Sequence, residues 1–218
     1  MRLSPTGLEA INFVPKSTAK TVNPWHKYMD VGHLKCEAGE QSFDIALGVM
    51  HPDVTPKTAS EKIYPHLLRT IFAFTDQHRH FPVSSVGQLT RDDGTRIVLW
   101  GNNAKPFNDD DPIKAQKFCS ERVVNRRAIV VSNALGGGFM LDKMMLMGQA
   151  QPDKQSGRDT NVLDTCGECR DTLLLSPIVT PKLEIITINA NEPNFSAKTT
   201  LGELVIDHHR AAILNGRI

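Results

Sequence analysis

Cys119 and Glu121, followed further along by Cys166-Gly167-Glu168-Cys169, are the residues whose types and spacing can do chemistry. Three thiolates can hold a zinc ion and leave its fourth position open to water, which separates a catalytic zinc from a closed structural one. A carboxylate two residues after the first ligand can reach that water without binding the metal. It can then carry protons between water and a substrate. The chemistry this suggests is hydrolytic, with water displacing an amine. Rival readings exist, because Cys-x-x-Cys alone also serves as a redox pair or as half of a structural zinc knuckle. A redox pair would lack its Trp-Cys context here and would leave Cys119 and Glu121 unexplained. A four-thiolate structural site would need a second pair, and only Cys36 is available. Cys36 is read as a buried structural thiol, since a fourth thiolate would close the site.

Elements must bring these residues together. Lys114 to Asn133 reads as a helix carrying Cys119 and Glu121, with Val123, Val124, Ala128, Ile129 and Val131 as its apolar surface and Gly136-Gly137-Gly138 ending it. Cys166 to Leu175 reads as a second, short helix. Helix starts favour thiolates over thiols through unpaired N–H groups and the helix dipole. Three thiolates on Zn²⁺ carry a net charge of about −1, which Arg122 and Arg170 are placed to offset. Before these helices, Thr58-Ala59-Ser60-Glu61 offers a capping signal for a helix through Phe74. Phe81 to Thr90 reads as a strand, Asp92-Asp93-Gly94 as a hairpin turn, and Ile97 to Trp100 as the returning strand. Lys143 to Met147 and Leu183 to Ile188 are further strands, the methionine run being core filling. The alternation of strands and helices gives a three-layer α/β domain over residues 56–218. Residues 1–55, with one strand at Ser42 to Met50, read as an N-terminal extension.

Composition narrows the class. A chain of 218 residues with 40% hydrophobic and 22% charged residues is long enough for one well-filled core. Its net charge of +1 gives no electrostatic footprint for nucleic acid. No apolar run approaches the roughly 18 residues of a membrane span, and Met1-Arg2-Leu3-Ser4-Pro5 lacks the core of a secretory signal. Reduced ligand cysteines argue for a cytoplasmic setting.

A family resemblance extends beyond the cysteines. Phe81-Pro82-Val83, Asp93-Gly94, Gly101-Asn102-Asn103, Cys119-Ser120-Glu121-Arg122, Cys166-Gly167-Glu168-Cys169-Arg170 and Thr200-Leu201-Gly202-Glu203-Leu204 occur in that order. They resemble the F-P-V, D-G, G-x-N, C-A-E-R, P-C-G-x-C-R and T-V-G-E-L segments of the cytidine deaminase family. Three Cys ligands with a Glu that is not a ligand also match the general zinc-deaminase signature. A first ligand that is Cys rather than His resembles the branch acting on free nucleosides. The resemblance implies a fold with a five-stranded mixed sheet between helices, assembled as a homodimer or homotetramer. It implies that Cys119, Cys166 and Cys169 bind Zn²⁺ and that Glu121 shuttles protons. It further implies that Phe81 and Val83 line the substrate pocket, Phe81 stacking on a pyrimidine, while Asn103 reaches the sugar.

Departures from the family bear on the substrate. Lys105 stands where the family has a ribose-binding Glu, and a cation there favours a carboxylate or phosphate on the ligand, or an acidic protein partner. Asn108-Asp109-Asp110-Asp111-Pro112 precedes the first ligand, as a solvated loop or a neutraliser of Lys105. Thr165 replaces the usual Pro before the Cys pair. The expected activity is hydrolytic deamination of a small cytosine-type substrate. The alternatives are a modified nucleoside, nucleotide or nucleoside antibiotic, and less readily a polynucleotide or no reaction at all.

Overall fold

The strand pair at the centre of the molecule is buried on both faces, which fixes where helices can pack. β4 (Val83–Arg91) sends Leu89 into one apolar cluster and Val86 into another, as alternating side chains of a strand must. In this computed structural model, residues 8–13, 24–38, 41–73, 82–103, 118–150, 163 and 165–214 are described. β4 turns into β5 (Arg96–Asn102) at the expected Asp92-Asp93-Gly94. Gly94 has φ of 85°, and Asp93 Oδ1 accepts the Thr95 N–H at 2.9 Å.

The sheet has eight strands rather than the five expected, in the order β1-β2-β3-β5-β4-β6-β7-β8. β1 (Ile11–Phe13), β2 (Met29–Ala38) and β3 (Gln41–Met50) form an antiparallel ribbon joined to β5 through Gly48 and Val49. β2 follows a one-sided pattern, with Leu34 and Cys36 buried between exposed His33 and Lys35. β6 (Phe139–Gly148) pairs antiparallel with β4 and parallel with β7 (Val179–Asn189), and β8 (Ser196–Thr200) completes the far edge.

Helices cover both faces. On one lie α1 (Pro56–Thr58), a π turn (Ala59–Ile63) and α2 (Tyr64–Ala73). They pack Ile63, Leu67 and Leu68 against Val86, Val98, Met145 and Met147. The cap is Thr55, whose hydroxyl accepts the Thr58 N–H at 3.1 Å, three residues before the expected Thr58. Pro56 at the first helical position accounts for the earlier start. The other face carries α3 (Ser120–Ala134), α4 (Gly167–Leu174) and α5 (Leu201–Leu214). There Val124, Ala128, Val131, Leu173 and Leu204 meet Leu89, Leu99, Leu146 and Ile185. The Thr200 to Leu204 segment is a capping box. Glu203 accepts the Thr200 N–H at 2.8 Å while Thr200 Oγ1 accepts the Glu203 N–H at 3.3 Å. Among the described residues, no helix is long and apolar enough to cross a membrane.

The connections decide where chemistry can occur. β5 and β6 both run antiparallel to β4 between them, so β5–α3–β6 is a parallel crossover; β6–α4–β7 is a second. Each crossover starts its helix at the edge where the preceding strand ends. The first turns of α3 and α4 therefore meet above one edge of the sheet, the usual place for a site in an α/β fold. α3 lies close because two sheet positions have no side chain. A methyl group added at Gly101 would fall 2.8 Å from Val123 Cγ1 and 3.1 Å from its Cβ. At Gly87 it would fall 2.5 Å from Val124 Cγ1. Gly101→Ala is thus expected to lift the first turns of α3 and lower stability by about 1–3 kcal/mol. Urea denaturation checks this, and an unchanged midpoint would contradict it.

Candidate active site

α3 does not begin at Lys114 as its apolar periodicity suggests. Among the described residues its first helical position is Ser120, and Cys119 is an extended N-cap with φ −64° and ψ 150°. Cys166 caps α4 in the same way, at φ −66° and ψ 160°. Neither sulfur caps its own helix, although Ser, Thr, Asp or Asn at such a position contributes about 1 kcal/mol. Two N-cap positions thus hold thiols that give their helices no capping bond. Cys169 follows one turn into α4, fully buried, with its N–H bonded to Cys166 O at 3.1 Å.

The three sulfurs lie within 4.8 Å of one another, with Cys119 and Cys166 3.9 Å apart. That is far outside disulfide bonding distance, and all are free. A tetrahedral ion about 2.3 Å from each sulfur would hold them roughly 3.8 Å apart, so the cluster suits a single metal ion. Among the described residues no fourth His, Cys, Asp or Glu joins the group. Cys166 is exposed and Cys119 partly so, which leaves the cluster open on one side. Cys36 lies elsewhere, buried on β2 with its S–H directed at Leu34 O.

Electrostatics favour negative charge on one sulfur of the cluster. Hydrogen bonds from Cys119 and then Cys169 pull the Cys166 thiol far below the usual range, and the Arg170 charge adds to this. Cys119 is pushed up to about 12, first by its hydrogen bond to Cys166. Cys169 is pushed up by the same two partners and by burial. Arg170 is 3% exposed and donates to Thr165 O at 2.7 Å. Its Nη2 is buried without an acceptor, so its charge is directed to its surroundings rather than to a carboxylate. Arg122 is placed differently, pairing with Glu168 at 3.2 Å and tying α3 to α4.

Glu121 sits in the first turn of α3, 4% exposed. Burial raises its pKa first and the Cys166 charge adds to that, against hydrogen bonds from its own N–H, Ser120 and Cys169. A carboxyl whose pKa is raised can both take and give a proton more readily. Ser120 Oγ donates to Glu121 Oε2 at 3.1 Å and also contacts Ser85 Oγ. A hydroxyl has one proton, so with Ser120 committed to the carboxylate, Ser85 must donate to Ser120. Both serines are fully buried. Sequence reading passed over this pair, although Ser120 standing where the family motif has Ala was its signal.

The remaining candidates divide. Val83 and Asn103 lie at the same sheet edge, where Asn103 Oδ1 accepts the Val83 N–H at 3.1 Å and Val83 O accepts the Asn103 N–H at 2.9 Å. Asn103 therefore pins the start of β4 to the end of β5. Phe81, Lys105 and the Asp109 to Asp111 run lie outside the described residues.

No known protein family matches the sequence, and no curated protein matches it. Among solved structures, the crystal structure of cytidine deaminase from Mycobacterium tuberculosis is similar at 21% identity. The similarity covers 65% of this chain and 89% of that one, with a TM-score of 0.39.

The cluster is expected to bind one metal ion per chain. Cys119→Ser or Cys169→Ser should abolish stoichiometric binding as measured by elemental analysis, while Cys36→Ser should leave it intact. Loss of the metal in the Cys36 variant alone would overturn the assignment.

Proposed function

We propose that this chain is a zinc-dependent hydrolytic deaminase of a cytosine-type nucleoside or a related small cyclic amidine. The carrying observation is the buried Glu121, hydrogen-bonded by Ser120 beside three clustered sulfurs. A purely structural metal site has no need of such a carboxylate. Cys119, Cys166 and Cys169 would hold the ion. When bound, zinc lowers the pKa of water and acts as a Lewis acid.

The chain's own residues account for the proton traffic. Glu121 accepts a proton as water adds to the ring carbon bearing the amine. It returns that proton to the ring nitrogen, then helps the second one reach the departing amine, so the amidine and water become a carbonyl compound and ammonia. Ser120, held by Ser85, fixes Oε2 of the Glu121 carboxylate. Arg170 offsets the negative charge of three thiolates. Asn103 and Val83 form the wall at the strand edge, with Phe81 proposed to stack on the ring. Lys105 in the sugar-binding segment favours a ligand bearing phosphate or carboxylate, which extends the proposal to nucleotides and modified nucleosides. Assembly as a homodimer or homotetramer belongs to the same reading, supported by exposed Leu174 at the end of α4, Leu175 just after it, and Ile206 and Ile213 on α5.

Ammonia release and absorbance change are to be measured with cytidine, deoxycytidine, CMP and a cytosine-containing antibiotic. Activity on at least one is expected, and inactivity on all four with metal bound would refute the nucleoside reading. Glu121→Gln should lower kcat by about 10²–10⁴-fold with zinc retained; full activity would exclude Glu121 as the proton carrier. Ser120→Ala is expected to lower kcat about tenfold with little change in KM, as an orienting group does. A change in KM alone would count against orientation.

A further inference from the structure

On the sheet face opposite the cysteines, the helix layer stops short of the edge. α2 packs over β4, β5 and β6, while among the described residues no helix packs on β7 and β8 on that face. The result is an open cleft of about 640 Å³ between the π turn and α2 on one side and β7–β8 on the other. That is the size of a small-molecule site. Met145, Ile186 and Ile188 line it with apolar surface.

The polar lining is unbalanced. Five cations, Lys57, Lys62, Arg69, Lys143 and Lys198, face it against two carboxylates, Glu61 and Glu184, a surplus of three positive charges in a chain whose net charge is +1. Glu184 is shared between Lys143, at 3.0 Å, and Lys198, so one carboxylate balances two ammonium groups. Burial raises the Glu184 pKa but those two bonds outweigh it, holding it down and ionised. Lys143 stands on the sheet beside Met145, its side chain only 16% exposed. Its ammonium also reaches Ser60 of the π turn. Lys57 has Glu61 at 3.9 Å, whereas Lys62 and Arg69 have no ion-pair partner among the described residues. Lys62, Pro65 and Arg69 fall on one stripe of the helix, so both free cations point into the same cleft. The π turn carries Ser60, Glu61 and Lys62, and such turns are found frequently at functional sites.

We propose that this cleft binds a phosphorylated small molecule with an apolar or planar body, of the nucleotide class. Lys62 and Arg69 face its phosphates and Met145, Ile186 and Ile188 support its body. Arg69 supplies the planar fork suited to phosphate oxygens, and the lysines supply point charges. The site is separate from the cysteine cluster and does not depend on the proposed reaction.

Calorimetric titration of the full chain tests this with three probes: ATP, pyrophosphate and adenosine. ATP should bind most tightly, pyrophosphate more weakly and adenosine least, with the two anions weakening as salt is raised. Lys62→Glu/Arg69→Glu should weaken ATP binding about tenfold or more, while metal content and thermal unfolding stay as in the parent. Glu121→Gln should bind ATP as the parent does, which separates this cleft from the reaction site. Absence of ATP and pyrophosphate binding would overturn the proposal, as would ATP binding untouched by the charge reversal. Sedimentation gives a further refutation: if the parent is an oligomer and the charge reversal dissociates it, the cleft is an interface between copies.

Discussion

The convergence of two helix N-termini on one sheet edge is the constraint on which the rest of the structure depends. It arises from topology, because β5–α3–β6 and β6–α4–β7 both cross in parallel and both start their helices at the same edge. Cys119 and Cys166 occupy the two N-caps, so residues far apart in sequence reach 3.9 Å. The positive ends of both helix dipoles and the Arg170 guanidinium then favour negative charge at the sulfurs. Gly87 and Gly101 let α3 sit low enough for this. Packing, topology and electrostatics thus meet at one point.

Glu121 shows how the same arrangement sets a buried carboxylate beside the three sulfurs, as the proposed proton transfer requires. Its position in the first turn of α3 follows from Cys119 being the cap. Its burial raises its proton affinity, and the Ser85–Ser120 pair sets its direction. A shift of a residue in the start of α3 would move the cysteine and the carboxylate together. The proposed metal ligand and the proposed proton carrier are therefore positioned by one structural element.

Much of this was legible in the sequence. The Cys and Glu spacing identified the cluster, and the Asp-Gly turn and apolar runs located β4 through β7. The start of α3 was misread because residues 114–118 continue a helix-compatible pattern, while the extended cap at Cys119 carries no Ser or Asp to announce it. The five strands implied by the family resemblance leave out the N-terminal ribbon, of which the sequence showed only Ser42 to Met50 (β3). The rest was hidden because β1 is three residues long and β2 alternates buried with exposed residues instead of forming an apolar run. The Thr200 to Leu204 segment looked like part of a functional motif, and the structure gives it a local physical cause as a capping box. Ser85 could not be found by spacing, since its partner Ser120 lies across the sheet and only the fold joins them.

The central claim is that three cysteines hold one metal ion and leave a position for water. X-ray absorption at the zinc edge of the metal-loaded protein tests this most directly. The account predicts three sulfur neighbours at about 2.3 Å and one oxygen or nitrogen at about 2.0 Å. Four sulfur neighbours, or a shell without sulfur, would contradict it.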